Sequence, residues 1–131
     1  MGGLSSVRVT DIMSHRVVTA AGNTSLGEAA KKMIENDVGS VVIIDEEGRC
    51  IGIVTERDFL RFFVEKVPPE TPVREYMRKD PITVREDASI NEARNIMITH
   101  NIRHLPVVGH NGRVIGILSV RDIFERIETL I

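Results

Sequence analysis

The chain contains an internal repeat, in which residues 9–67 align with residues 73–131 at a constant offset of 64 positions and without a gap. A repeat constrains the fold more than any single motif, because both copies must adopt the same supersecondary structure. One copy of about sixty residues buries only a marginal core by itself. The sequence therefore predicts two like domains, 7–67 and 73–131, joined by a proline-rich linker at 68–72.

The first helix of each repeat has clear start and stop signals. Ser25 and Ser89 are each followed three residues later by a glutamate, which is the pattern of a capping box. Apolar residues then recur at helical spacing and form one buried stripe. The helices are expected to end near Asp37 and Asn101.

Two strands follow each of these helices. Continuous runs of mostly β-branched residues suit buried strands, and a glycine-containing turn between them makes the pair antiparallel. The predicted strands are 40–44 and 50–54 in the first repeat, and 105–108 and 114–118 in the second. Gly48 and Gly112 occupy the turns, where a positive φ is expected.

A short strand, expected around 17–19 and 82–84, precedes each first helix, and a second helix beginning at Glu56 or Val120 closes each repeat. The order β-α-β-β-α places the chain in the α+β class. Packing the two repeats sheet to sheet about a pseudo-twofold axis would complete the core and create two equivalent clefts. The sequence predicts that arrangement.

Composition narrows the class of protein. Apolar residues make up 42% and charged residues of both signs 27%, which is typical of a globular domain. The net charge of -2 gives no electrostatic case for nucleic acid or an anionic membrane. The longest apolar run, 41–44, is far too short to span a bilayer. Cys50, without a second cysteine, forms no intrachain disulfide, and a cytoplasmic location is expected.

The segments "GIVTERD", residues 52–58, and "GILSVRD", residues 116–122, occur at equivalent positions. Each places a hydroxyl residue three positions before an aspartate, as a helix cap would. The same atoms suit a ligand, because a carboxylate accepts hydrogen bonds from vicinal ribose hydroxyls and a helix start favours phosphate. Both roles are open, and they are compatible. The leading glycine would let a ligand or another backbone segment come close to the strand.

With "VTDIM", "VREYM", "PITV" and "NIRHLPVV", these motifs resemble a tandem cystathionine-β-synthase (CBS) domain pair, or Bateman module, over roughly residues 7–131. The resemblance implies binding of AMP, ADP, ATP or S-adenosylmethionine in clefts between the repeats. Such a ligand would act as a regulator, and no cofactor is required.

The resemblance also implies which residues form each cleft. The first site would contain Thr55, Arg57, Asp58, Ile82, Ile102, Arg103 and His104. The second would contain Arg16, Val18, Val38, Gly39, Ser119, Arg121 and Asp122. Because Gly39-Ser40 stands where the second repeat has Arg103-His104, the two sites are expected to differ in phosphate affinity.

Other functions have less support in the sequence. No Ser-His-Asp order, P-loop or HExxH motif appears, so no enzyme is predicted, and His100 and His104 lack a third metal ligand nearby. The sequence favours an adenine-nucleotide-sensing regulatory module that forms a homodimeric four-repeat disc and acts on an unidentified protein. A ligand-independent module for dimerisation and partner docking is the alternative. A nucleic-acid binder is less favoured.

Overall fold

The computed structural model describes residues 6–130, with side chains through Arg126. The chain divides into two compact units. We call Val18–Pro81 the central unit, and we call the combination of residues 6–17 with residues 82–130 the terminal unit. The units are offset from the sequence repeats, because the opening residues of each repeat, 9–17 and 73–81, pack with the other repeat.

The described residues form five helices and two sheets, which confirms the α+β class. In chain order the elements are α1 (Val9–Ile12), β1 (Thr19–Ala21), α2 (Leu26–Asn36), β2 (Ser40–Ile44), β3 (Cys50–Thr55), α3 (Glu56–Val64), a 3-10 turn (Val73–Glu75), β4 (Arg78–Lys79), β5 (Val84–Arg85), α4 (Ile90–His100), β6 (His104–Val108), β7 (Val114–Ser119) and α5 (Val120–Leu130). The predicted β-α-β-β-α order is present twice. Helix α1 and strand β4 were not predicted.

The central sheet has the order β1-β2-β3-β4. Strand β1 is parallel to β2, and the two remaining pairs are antiparallel, so the predicted hairpin is confirmed. The sheet and its helices bury Val41, Ile43, Val54 and Phe62. Strand β1 begins two residues later than the predicted start, because Thr19 is the first residue in register with β2.

The terminal sheet has the order β5-β6-β7, with β5 parallel to β6 and β6 antiparallel to β7. Its core includes Leu105 and Leu118 from the sheet and Ile12 from α1, all fully buried. Ser14 forms an antiparallel bridge to Ile117 of β7. The first segment of the chain therefore contributes both core and sheet-edge contacts to the terminal unit.

The serine half of each predicted capping box, and the predicted glycine turns, are confirmed. Ser25 and Ser89 each accept a hydrogen bond through Oγ from the backbone N–H three residues later, at 3.1 Å. Helices α2 and α4 end just before Asp37 and Asn101, whose left-handed φ angles of 52° and 53° stop the helix. The turn glycines have φ angles of 81° and 82°, which cost glycine little.

The proline-rich segment at 68–72 is hydrogen-bonded to the start of α2. Leu26 N–H donates to the Thr71 carbonyl, and Gly27 N–H donates to the Pro69 carbonyl, each at 2.9 Å. These bonds satisfy N–H groups that an α-helix leaves without intrahelical partners. The segment is thereby fixed to the central unit.

Candidate functional site

In the central unit, the motif aspartate lies where β3 passes into α3. Asp58 Oδ2 accepts hydrogen bonds from the Thr55 N–H at 2.9 Å and from the Thr55 hydroxyl at 3.2 Å. The Asp58 N–H donates to Thr55 Oγ1 at 3.5 Å. These contacts form the capping box that the sequence predicted. Asp58 is only 5% exposed, which is unusual for a carboxylate.

The second oxygen of this carboxylate faces two arginines. Asp58 Oδ1 lies 3.6 Å from Arg61 Nη1 and 3.8 Å from Arg78 Nη2. Both arginine side chains are more than half exposed, so each pair is worth only about 0–1 kcal/mol. Oxygen Oδ2 is thus held by the cap, while Oδ1 has partners that can move away at little cost.

The terminal unit repeats this arrangement between β7 and α5. Asp122 Oδ2 accepts a hydrogen bond from the Ser119 N–H, and the Asp122 N–H donates to Ser119 Oγ, both at 3.0 Å. Asp122 is half-buried. Ser14 stands at the position equivalent to Arg78, so this carboxylate has no guanidinium from that position. The two caps share a geometry and differ in nearby charge.

Each cap lies beside the turn between the first helix and the next strand of its own unit. Glu56 N–H donates to the Gly39 carbonyl at 3.0 Å, and Val120 N–H donates to the Arg103 carbonyl at 3.1 Å. The structure therefore brings Gly39 beside Thr55 and Arg103 beside the Ser119 cap. The sequence-based sites instead combine each cap with turn residues of the other unit, and that assignment stays a prediction.

The remaining predicted site residues fall in both units. The central unit contains Arg57, which lies on α3, and Val18 and Val38, which flank strands. The terminal unit contains Arg16, Ile82, Ile102, His104 and Arg121. Arg16, Arg57 and Arg121 are exposed, and Ile82 is 37% exposed. Ile102 packs against the terminal core, which gives it a structural role of its own.

Gly116 and Gly52, which lead the two motifs, make room for methionines. A Cβ on Gly116 would stand 2.5 Å from Met13 Sδ and 2.9 Å from the Ser14 carbonyl oxygen. A Cβ on Gly52 would overlap the side chain of Met77. The close approach inferred from the glycines is therefore made by the opening segment of the other repeat. The pairing of "VTDIM" with "VREYM" contained this signal, but the sequence did not show which strand each methionine contacts.

Burial raises the pKa of the Cys50 thiol to about 11, and the Asp80 carboxylate adds to the shift. The thiol sulfur lies 3.8 Å from the Gly52 carbonyl oxygen. Because the thiolate is the reactive form, Cys50 is a poor nucleophile at neutral pH. In strand β3 the half-buried Cys50 therefore behaves as a small apolar side chain.

At the hairpin turn, hydrogen bonds from the backbone N–H groups of Arg49 and Glu47, together with the Arg49 guanidinium, lower the pKa of Asp45. The same residues close the turn between β2 and β3.

Within residues 6–130, no cluster of three or more histidine, cysteine or acidic side chains is arranged to hold a metal ion. None of the helices in that range has the length and apolar character needed to cross a bilayer.

The CBS domain model matches residues 9–65 and 73–129, so the chain belongs to the CBS domain family and carries two such domains in tandem. An uncharacterized 17.7 kDa protein of Acidianus ambivalens is 38% identical over 118 residues, which cover 90% of this chain and 71% of the relative. Two other curated relatives are longer, and the chain spans 63% and 33% of their lengths.

Solved structures of CBS domain proteins share this fold. The CBS domain protein of Pyrobaculum aerophilum complexed with AMP has a TM-score of 0.87 and 31% identity, and the match covers 95% of this chain and 96% of that one. The CBS domain pair of protein MJ0100, in complex with 5'-methylthioadenosine and S-adenosyl-L-methionine, has a TM-score of 0.86 and 31% identity, over 95% and 98% of the two chains.

Proposed function

We propose that the chain is a non-catalytic regulatory module that binds adenosine-containing ligands through its two aspartate caps. The observation that carries the proposal is the buried carboxylate of Asp58, which has one oxygen in the helix cap and the other near two half-exposed arginines. AMP or S-adenosylmethionine complexes of two similar CBS proteins support it.

The caps suit ribose for a physical reason. A carboxylate already fixed by backbone and hydroxyl donors loses little freedom when it accepts further hydrogen bonds from vicinal hydroxyls. Hydrogen bonds to a charged acceptor are worth about 1.5–3 kcal/mol, which is enough to fix the position of a nucleoside. The start of the following helix adds a dipole whose positive end favours phosphate.

The two caps are proposed to differ in affinity for the same ligand. Arg61 and Arg78 surround Asp58, and Ser14 replaces Arg78 near Asp122. Arg103 and His104 adjoin the Ser119 cap, where Gly39 and Ser40 adjoin the Thr55 cap. A ligand that carries phosphate would therefore encounter different positive groups at the two caps.

Calorimetric titration of nucleotide-free protein with AMP, ATP and S-adenosylmethionine tests the proposal. Asp58→Asn and Asp122→Asn should each weaken one binding event by roughly tenfold or more, because the amide supplies no charged acceptor. Asp87→Asn, in an exposed turn, is the matched control. Absence of binding at millimolar ligand would refute the proposal, and equal affinities in all variants would refute the residue assignment.

A second candidate is a docking module that needs no ligand, and one observation favours it. Phe63 on α3 is 85% exposed and Phe124 on α5 is 72% exposed. Aromatic side chains this exposed on helices are typical of association surfaces. We propose that they contribute to the expected homodimer of a cytoplasmic protein. A dimer that forms equally well without ligand, in a protein that binds none, would favour this second function.

A further inference from the structure

The two aspartate caps differ in charge at the positions that flank the carboxylate. At the repeat offset of 64 positions, Arg61 is equivalent to Glu125 and Arg78 is equivalent to Ser14. The first difference reverses a charge and the second removes one, while each aspartate keeps its hydroxyl residue three positions earlier. The repeats therefore retain the cap and change the charges beside it.

The backbone confirms that Arg78 and Ser14 occupy matching places. Arg78 pairs with Ile53 of β3, and Ser14 pairs with Ile117 of β7. Ile53 and Ile117 are themselves equivalent in the repeat. The side chain of residue 14 therefore takes the place beside the terminal cap that a guanidinium takes beside the central one.

Beside the central cap, both of these positions are cationic and close to the carboxylate. Arg61 Nη1 lies 3.6 Å and Arg78 Nη2 lies 3.8 Å from Asp58 Oδ1. Arg61 approaches along α3 and Arg78 approaches from β4, and both are more than half exposed. A guanidinium has several N–H donors in a fixed fork, so an arginine beside Asp58 can also donate to phosphate oxygens.

The carboxylate of the terminal cap lacks such neighbours. Among the side chains of residues 6–126, none forms an ion pair with Asp122. Glu125, at the position of Arg61, accepts from Arg121 Nε at 2.9 Å. Arg126 Nη1 donates to the Met13 carbonyl at 3.0 Å. These two arginines of α5 are thus engaged by other groups of the terminal unit.

A difference of the opposite sign lies at the far end of the same strands. Arg16 is equivalent to Asp80. The Asp80 N–H donates to the Ile51 carbonyl at 3.2 Å, and burial followed by the Asp80 carboxylate raises the pKa of the Cys50 thiol. Cys50 begins β3, whereas the cap lies at the other end of that strand. This exchange therefore acts away from the cap carboxylate.

Arg103 is the cation that adjoins the terminal cap, at the position of Gly39 in the central unit. Its described contact is made by the backbone, because its carbonyl accepts the Val120 N–H at 3.1 Å. Its side chain is exposed and forms no ion pair with Asp122. A variant at Arg103 can therefore measure the share of this charge separately.

We propose that the two caps take adenosyl ligands of different charge. At the central cap, Arg61 and Arg78 select a ligand that carries phosphate. At the terminal cap, Ser14 and Glu125 favour a neutral or cationic adenosyl ligand. Phosphate gains charge-assisted hydrogen bonds from two guanidiniums, whereas an uncompensated carboxylate repels it and attracts a cation. The inference rests on the proposed function and names the ligand class at each cap.

Each cap can be measured while the other is weakened. The Asp122→Asn chain reports on the central cap, and the Asp58→Asn chain reports on the terminal cap. Calorimetry with AMP, adenosine and S-adenosylmethionine gives the three affinities at each. AMP should bind the central cap about tenfold more tightly than adenosine does. At the terminal cap AMP should bind no more tightly than adenosine, and the cationic S-adenosylmethionine should bind at least as tightly.

Exchanging the equivalent residues tests which side chains set this ratio. Arg61→Glu with Arg78→Ser should remove the AMP preference of the central cap without weakening adenosine. Ser14→Arg with Glu125→Arg should create an AMP preference at the terminal cap. Arg74→Ser with Lys79→Glu changes the net charge as much as the first exchange, at exposed positions, and should leave the ratio unchanged. Thermal unfolding confirms that each variant is folded, since lost structure would weaken all three ligands together.

Equal ratios of AMP to adenosine affinity at the two caps would overturn the inference. So would a first exchange that behaves like its control, or a terminal AMP preference that disappears in Arg103→Gln. Adenosine binding at both caps with equal ratios would refute this inference alone. A chain that binds none of the three ligands would refute the proposed function as well.

Discussion

Arg78 Nη2 lies 3.8 Å from Asp58 Oδ1 within the central unit, although the sequence repeats assign these residues to different copies. Arg78 comes from β4, which pairs with β3 immediately before the cap. A ligand hydroxyl that binds Oδ1 would therefore compete with a guanidinium. The terminal unit has Ser14 at the position of Arg78.

Removing this competitor should strengthen binding of an uncharged nucleoside. Arg78→Ala is expected to increase adenosine affinity at the central cap about two- to fivefold, since an exposed ion pair of up to about 1 kcal/mol no longer has to be broken. Calorimetry measures the change, and Lys79→Ala removes a neighbouring exposed charge as the control. Weaker adenosine binding by Arg78→Ala would show that the arginine contacts the ligand instead.

Alanine at the two motif glycines should destabilise the units unequally. Gly52→Ala overlaps only the flexible Met77 side chain, whereas Gly116→Ala also meets the Ser14 carbonyl oxygen of the backbone. Overpacking of this kind costs about 1–3 kcal/mol, and Gly116→Ala should have the larger cost. Urea unfolding measures both.

Shortening the methionine that each new Cβ would meet tests whether the stability of the two glycine variants can be restored. In the Gly52→Ala chain, Met77→Ala should restore most of the lost stability, after subtraction of the cost that Met77→Ala has in the parent chain. Met13→Ala should restore less in Gly116→Ala, because the Ser14 carbonyl oxygen stays in place. Equal rescue in both units would contradict the backbone contact at Gly116.

The thiol of Cys50 should react slowly in the folded protein. Its pKa of about 11 lies above the ordinary value of 9.0, so folding favours the protonated form. The thiol reaction rate with a disulfide reagent should rise steeply only as pH approaches 11, and unfolding should increase it at pH 8.

The same pKa shift has a defined sign for stability. The unfolded chain loses the Cys50 proton at lower pH than the folded chain, so this contribution to stability is present below pH 9.0 and declines as pH rises toward about 11. Cys50→Ala should reduce the loss of stability over this interval. An identical pH profile for both proteins would contradict the assigned shift.

The two aspartate caps should contribute unequally to folding. Asp58→Ala removes a buried carboxylate that accepts bonds from both the Thr55 N–H and its hydroxyl. Asp122→Ala removes a half-buried carboxylate that accepts a bond from the Ser119 N–H. Loss of a cap costs about 0.5–2 kcal/mol, and Asp58→Ala should lie toward the upper end. Chemical unfolding curves measure this, with Asp87→Ala as an exposed control.

Local sequence signals predicted most of the secondary structure. Ser25 and Asp37 bound α2 through a cap and a left-handed stop, and Gly48 fixes the hairpin turn, so each boundary depends on residues close together in the chain. The same holds for the Thr55–Asp58 cap. The caps were predictable because their geometry is local.

The contacts made by the opening segments of the two repeats could not be predicted in this way. Met13 packs on β7 and Met77 on β3, and nothing in the local pattern around either methionine identifies its partner strand. Strand β4 is only two residues long and has no periodicity to detect. Arg78 was missed as a neighbour of Asp58 for the same reason, because its position depends on that strand.

The offset between repeats and compact units has a consequence for the order of folding. The central unit is one continuous stretch, Val18–Pro81, so all its contacts are available once that stretch has left the ribosome. Ile12 and Met13 are made earlier, yet strands β6 and β7, which share their core, are made after the central unit is complete. During synthesis these two apolar residues therefore remain exposed to solvent until β7 has been made.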